Sequence, residues 1–193
     1  MEIKNIKIRI DRKNVLKRLG HRLKTETDER INRLIDEQIN EAYSMIEPYC
    51  VYKDLDIAHV KDDEIKLKNA FLIKSSNLAK ILKKADKATL IAITIGDELE
   101  RRTGDLLVDA IRDAIGSEAV EELANEVNRQ ITKRAKLAGY KTLFRFSVGY
   151  GGWDLKDQKK ILGVLKAKRI KLGKGCIMHP RKSVTALIGW ERK

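Results

Sequence analysis

Apolar and charged residues alternate at the start of the chain. Ile6, Ile8 and Ile10 are separated by lysine and arginine, the pattern of a half-buried strand. Asp11 is placed to cap a short helix carrying Val15, Leu16 and Leu19, closed by Gly20. The period then changes. Ile31, Leu34, Ile35, Ile39, Ala42, Tyr43 and Ile46 share one helical stripe, which predicts a helix over about 26–46 that Pro48 ends. AFLIKSS (70–76) reads as a strand running into a serine cap, with a helix bearing Leu78, Ile81 and Leu82 behind it. ATLIAITIG (88–96) is apolar at every turn of the pleat, as a central strand covered on both faces would be.

Two helical stretches follow Gly96, at about 97–115 and 117–138. Gly116-Ser117 divides them, Ser117 serves as the second cap, and Ala119, Val120, Leu123, Val127 and Ile131 form the buried stripe. Gly139 suits the position just past a helix end. TLFRF (142–146) predicts a strand with Phe144 and Phe146 on the face opposite Arg145. Asp154 then caps a helix reaching about Lys166, and two strands, GCIMHP and SVTALIGW, finish the chain. The expected class is α+β, a mixed or antiparallel sheet flanked by long helices, because repeated short βαβ crossovers are missing. With no internal repeat or linker, 1–193 reads as a single unit.

Composition narrows the options. Lys and Arg number 41 against 28 Asp and Glu, a formal charge of +13, which points to an anionic partner or to a densely solvated surface. Aromatic residues make up only 5%, too few for a surface that stacks nucleic-acid bases, so nucleic acid is disfavoured as the partner. Cys50 and Cys176 are far apart, no CxxC or HExxH occurs, and His21, His59 and His179 make no ligand-spaced cluster; a metal site is not expected. The charged, alternating N-terminus resembles no signal or transit peptide, and no apolar run approaches the roughly 20 residues that span a bilayer, so the expectation is a cytoplasmic protein without membrane association.

Against this Lys-rich background, RFSVGYGGW (145–153) gathers the residue types that bind small molecules. Arg145 offers a planar fork for a carboxylate or phosphate. Gly149, Gly151 and Gly152 permit sharp turns and close backbone approach. Tyr150 and Trp153 offer flat faces to a purine or a cation. The spacing is neither GxGxxG nor a P-loop, which argues against a dinucleotide. The same residues also suit a glycine-rich turn whose aromatics plug the core edge. The glutamates Glu98, Glu100, Glu118, Glu121 and Glu122 read as solvated helix faces.

Four blocks in order, TIGDELERR (94–102), DAIGSEAVEELANEVNRQI (113–131), RFSVGYGGWDLKDQKKIL (145–162) and IMHPRKSVTALIGW (177–190), resemble the reactivation domain of cobalamin-dependent methionine synthase and its stand-alone relatives. The match is convincing over about 88–193 and holds only in general layout over 1–87. It implies S-adenosylmethionine as ligand. Arg145 would take the methionyl carboxylate, main-chain groups of Ser147 and Val148 would contact the ligand, and Gly149 and Tyr150 would shape the pocket. Glu118 would be the acidic residue contributed by the preceding helix.

The resemblance implies a repair role: reductive methylation of the inactive Co(II) corrinoid of methionine synthase or a related corrinoid methyltransferase. The cobalamin would be carried by that partner protein, since no DxHxxG motif is present here, and the electron would come from an acidic donor such as flavodoxin. Two departures bear on ligand affinity. GKG (173–175) replaces a Thr-Glu-Ser-like stretch, and the sequence given stops before a downstream tyrosine of the family site. The alternatives are a scaffold that keeps the fold without binding the ligand, and a basic nucleic-acid-binding protein.

Overall fold

The computed structural model describes residues 1–20 and 28–193. Its elements are β1 (Glu2–Ile3), α1 (Arg12–Arg18), α2 (Glu29–Met45), β2 (Tyr49–Lys61), β3 (Glu64–Leu67), β4 (Leu72–Lys74), α3 (Ser76–Leu82), β5 (Ala85–Thr94), α4 (Leu106–Leu137), β6 (Tyr140–Ser147), α5 (Asp157–Leu165), β7 (Lys171–Leu172), β8 (Met178–His179) and β9 (Ser183–Arg192). The fold is α+β. One sheet runs β4-β3-β2-β5-β9-β6 with β1 also paired to β2, every pairing antiparallel, and β7 and β8 make a separate small ribbon.

The central strand β5 shows why the sheet has two cores. Ile91 and Ile93 point to one side, where α1, α2 and α4 pack, while Leu90 and Ala92 point to the other, under α3 and α5. Strand β9 repeats this, with Ala186, Ile188 and Trp190 on the first side and Leu187 on the second. An all-apolar strand is therefore the sequence signature of a sheet covered on both faces. Caps fall where short polar side chains precede apolar periods: Asp11 accepts from the Lys13 N–H, Asp28 from Arg30 and Ser75 from Leu78.

Several elements differ from expectation. Residues 4–10 form no strand beyond β1; Asn5 adopts φ 55, which breaks the ladder, and Ile6 and Ile10 instead bury themselves in the helical-side core. The two helices expected on either side of Gly116 are one 32-residue helix, α4. Gly116 lies inside it, where a Cβ would crowd the Lys182 chain at 3.2 Å, and the Ser117 hydroxyl donates back to the Asp113 carbonyl at 2.9 Å instead of capping. The helix expected from 97 starts only at 106, after a 3₁₀ turn at Glu98–Glu100 and Gly104 at φ +91; Asp105 is its cap. Asp154 holds the turn before α5, accepting from the Lys156 N–H at 2.9 Å, and the helix proper ends at Lys166 with φ 52. The start of the expected helix at 26, and His21, lie outside the described residues.

Candidate functional site

Among the described residues, strand β6 is the edge of the sheet, paired only to β9. Its register to β9 shifts between Thr142 and Arg145, a bulge that ejects one residue from the alternation. Phe144 is that residue. It stands 86% exposed, whereas Phe146 packs on Trp153 with ring centroids 6.4 Å apart. The expectation that both phenylalanines share the face opposite Arg145 therefore holds only for Phe146.

Arg145 faces α4. Its Nη2 donates to the Glu121 carboxylate in an ion pair, and its Nη1 reaches Asn125 Oδ1 at 3.4 Å. The guanidinium is largely covered and the carboxylate about half exposed (17% and 46%), so it is chiefly the anionic member of the pair that meets solvent. Glu121 and Asn125 are one helical turn apart, which is what lets α4 present both to one strand residue.

The chain after Arg145 folds as a compact turn. The Val148 N–H is donated to the Thr185 carbonyl of β9 at 3.3 Å, the Gly149 N–H to Trp153 at 3.0 Å and the Trp153 N–H back to Tyr150 at 2.9 Å. Gly149, Gly151 and Gly152 all adopt positive φ (90, 55 and 81), which explains three glycines in four positions. Trp153 is 1% exposed and donates its indole N–H to Asp157 at 2.9 Å, so it closes the core beneath α5. Tyr150, by contrast, is 72% exposed and is the aromatic face left available beside the turn. Ser147 is half-buried at the end of β6, opposite Ala186.

Glu118 is not a solvated residue. It is buried on α4, where it accepts from Asn14 Nδ2 at 2.8 Å and pairs with Arg18 at 3.1 Å, tying α1 to α4. The acidic group that touches Arg145 is Glu121, three residues on. A shallow cleft of about 340 Å³ runs between α1 and α4, and both Glu118 and Glu121 line it, together with Asn14, Arg18 and Asn125. Arg145, Ser147, Val148, Gly149 and Tyr150 thus follow one another from the end of β6 into the turn, with the Arg145 side chain on α4 and Val148 in the core beneath α5, while Glu118 faces α1. The chain neighbour Glu121 was readable only as another helix-surface glutamate, since its contact depends on the register between α4 and β6.

GKG (173–175) turns the β7–β8 ribbon. The Gly173 N–H donates to the Ile177 carbonyl at 2.8 Å, and a Cβ on Gly173 would meet His179 Nε2 at 2.9 Å. Among the described residues no group of three His, Cys, Asp or Glu side chains is placed to hold a metal ion, and no helix is long and apolar enough to cross a membrane.

No protein-family profile matches the chain. No curated protein matches it either. Among solved structures, the MetH reactivation domain bound to AdoHcy aligns over 92% of this chain and 74% of its own, with a TM-score of 0.69 and 15% sequence identity. The chain therefore shares the fold of that reactivation domain.

Proposed function

We propose that the chain binds S-adenosylmethionine at the end of β6 and acts as a reactivation module for a corrinoid methyltransferase. The observation that carries this is the pair that Arg145 on β6 makes with Glu121, followed along the chain by a three-glycine turn and an exposed tyrosine. An amino acid moiety is a zwitterion. A guanidinium with a carboxylate beside it answers both of its charges, Arg145 taking the α-carboxylate and Glu121 the α-ammonium. Tyr150 is the flat surface for the adenine, and Gly149 keeps the turn clear of a Cβ. The same fold carries AdoHcy in the MetH reactivation domain, which supports a ligand of that class.

In this reading the chain's own work is positioning. It holds the ligand so that the sulfonium methyl faces a corrinoid carried by a second protein, with an acidic donor such as flavodoxin providing the electron. The ligand supplies the methyl group and the corrinoid the redox chemistry. Val148 donates its N–H to β9, so any contact from that residue to the ligand uses other main-chain atoms. Calorimetric titration with S-adenosylmethionine tests the reading. Saturable one-to-one heat is expected, and no heat at millimolar ligand would leave a scaffold with the same fold.

A further inference from the structure

Two stretches of one charge sign stand apart in the sequence. DELE (97–100) places three acidic residues directly after the apolar strand β5, and residues 166–182 hold seven basic side chains and no acidic one. The fold brings both to a single cleft of about 470 Å³ at the end of β5, where Thr94 and Gly96 contribute to the lining. Its acidic lining is Glu47, from the turn between α2 and β2, with Asp97 and Glu100. Its basic lining is Lys168, Arg169 and Lys171, from the chain that leaves α5. Among the described residues one ion pair links the two sets, Arg169 to Glu47 at 3.5 Å. Glu100 accepts the Lys182 main-chain N–H at 2.9 Å and is paired to no cation among the described residues. The side chains of Asp97, Lys168, Lys171 and His179 have no hydrogen-bond or ion-pair partner among the described residues. Lys171 and His179 oppose each other directly in the β7–β8 ribbon, so both rise from one face of it. The imidazole lies over Gly173, where a Cβ would come within 2.9 Å of His179 Nε2. Gly173 has φ −89, which any residue adopts, so glycine there leaves room for the ring and relieves no backbone strain.

We propose that this cleft binds a small zwitterionic amino acid with a polar side chain, at a second site separate from the end of β6. Once Arg169 and Glu47 cancel, two ammonium groups and two carboxylates remain, Lys168 and Lys171 against Asp97 and Glu100. Those charges balance, so the matching ligand is net neutral and carries both signs; a phosphate or a polyamine answers only half of the lining. The α-carboxylate goes to Lys168 and Lys171. The α-ammonium, with three N–H donors, goes to Asp97 and Glu100. No Phe, Tyr or Trp lines the cleft, which excludes the aromatic cage that a quaternary ammonium needs. His179 is the group left to meet the ligand's side chain, and its ring nitrogens call for a polar one. None of the lining residues belongs to the Arg145 site, so the inference stands apart from the proposed function.

Calorimetric titration of the full-length chain with L-glutamine tests it, with glutarate and putrescine as ligands that carry one sign only. Saturable one-to-one heat is expected for glutamine with a midpoint at or below about 10 mM, and at least about tenfold weaker binding for either single-signed ligand. Asp97→Asn and Lys171→Ala should each weaken glutamine by about fivefold or more, and Gly173→Ala by about threefold through displacement of His179. Arg145→Ala should leave glutamine binding unchanged. Glutarate or putrescine binding as tightly as glutamine would mean that the cleft reads one sign only, and would overturn the proposal. So would a chain that gives no saturable heat with glutamine, or one that loses that heat in Arg145→Ala, which would put the amino acid at the end of β6. The heat of S-adenosylmethionine binding is expected to be the same in Asp97→Asn and Lys171→Ala as in wild type. Absence of that heat in every protein, with glutamine binding intact, would remove the proposed function and leave this cleft standing.

Discussion

Glu118 and Glu121 lie one turn apart on α4 and Arg145 pairs with the second, yet the surroundings of the three assign them different work. Removing the guanidinium in Arg145→Ala should weaken S-adenosylmethionine binding by about 1.5–3 kcal/mol, the scale of a charged hydrogen bond. Glu121→Gln keeps an acceptor for Arg145 and removes only the charge, so it should weaken the ligand comparably while stability moves by less than about 1 kcal/mol, as for other half-exposed pairs. Glu118→Gln should behave in the opposite way. Its carboxylate is buried between Asn14 and Arg18, so a stability loss of about 1–3 kcal/mol is expected, with affinity unchanged. Calorimetry and thermal melts on the three variants separate the roles; an Arg145→Ala loss without a Glu121→Gln loss would move the ammonium contact elsewhere. The glycines divide as well. A Cβ on Gly151 would come within 2.6 Å of Phe146 Cζ, while one on Gly152 meets nothing within 4 Å. Gly151→Ala should therefore cost about 1–3 kcal/mol more than Gly152→Ala, the overpacking term added to a shared backbone strain. Equal melting temperatures would mean that the Phe146 ring yields freely.

Helix α4 carries the acidic half of the site on its 32 residues, so its N-terminus determines how firmly that half is held. Asp105 accepts from the Leu107 and Val108 N–H groups at 2.8 and 3.2 Å, and Asp105→Ala should cost about 1 kcal/mol. Beside it, hydrogen bonds from the Thr103 N–H and hydroxyl hold the Asp109 carboxyl below the usual aspartate range. The folded form thus binds its proton less tightly than the unfolded chain. Its contribution is present above the unfolded pKa of about 3.9 and is lost as pH falls through the lower folded value. An NMR titration should give Asp109 a midpoint below about 3.9, rising in Thr103→Ala; a wild-type midpoint at or above that value would refute the bonding. Much at this scale was legible in the sequence. The caps at Asp11 and Ser75, the two-faced β5 and the entry of β6 into the glycine turn all follow from local pattern. What stayed hidden depended on contacts distant in sequence. Gly116 reads as a helix break until Lys182 is seen to need the space, and β2 begins with four buried residues in a row, Tyr49 to Tyr52, which erases the alternation that marks a strand. The bulge at Phe144 likewise has no local signal, since it is set by register against β9.

At the scale of the whole molecule, the two cores lie on opposite faces of one sheet, and β5 and β9 contribute side chains to both. Neither core can lose its strands without uncovering the other, so the chain should unfold as one cooperative unit despite its 193 residues. Nature has placed a reporter in each layer: Trp190 among the residues under α4, and Trp153 beneath α5. Single-tryptophan variants, Trp190→Phe and Trp153→Phe, should each show a single denaturant transition whose fluorescence midpoint coincides with that of circular dichroism for the same protein. Cys50 gives a chemical reading of the same event. It is fully buried on β2, and burial pushes its thiol up to about 12, so it is neither accessible nor ionised in the folded chain near neutral pH. Cys176, on the ribbon turn, is partly exposed. A disulfide reagent at about pH 8 should therefore label Cys176 promptly in native protein and Cys50 only as the sheet opens, at a rate that rises along the same denaturant curve as the tryptophan signals. Reaction of Cys50 well below that transition, or fluorescence midpoints that depart from circular dichroism, would show that the two layers come apart separately.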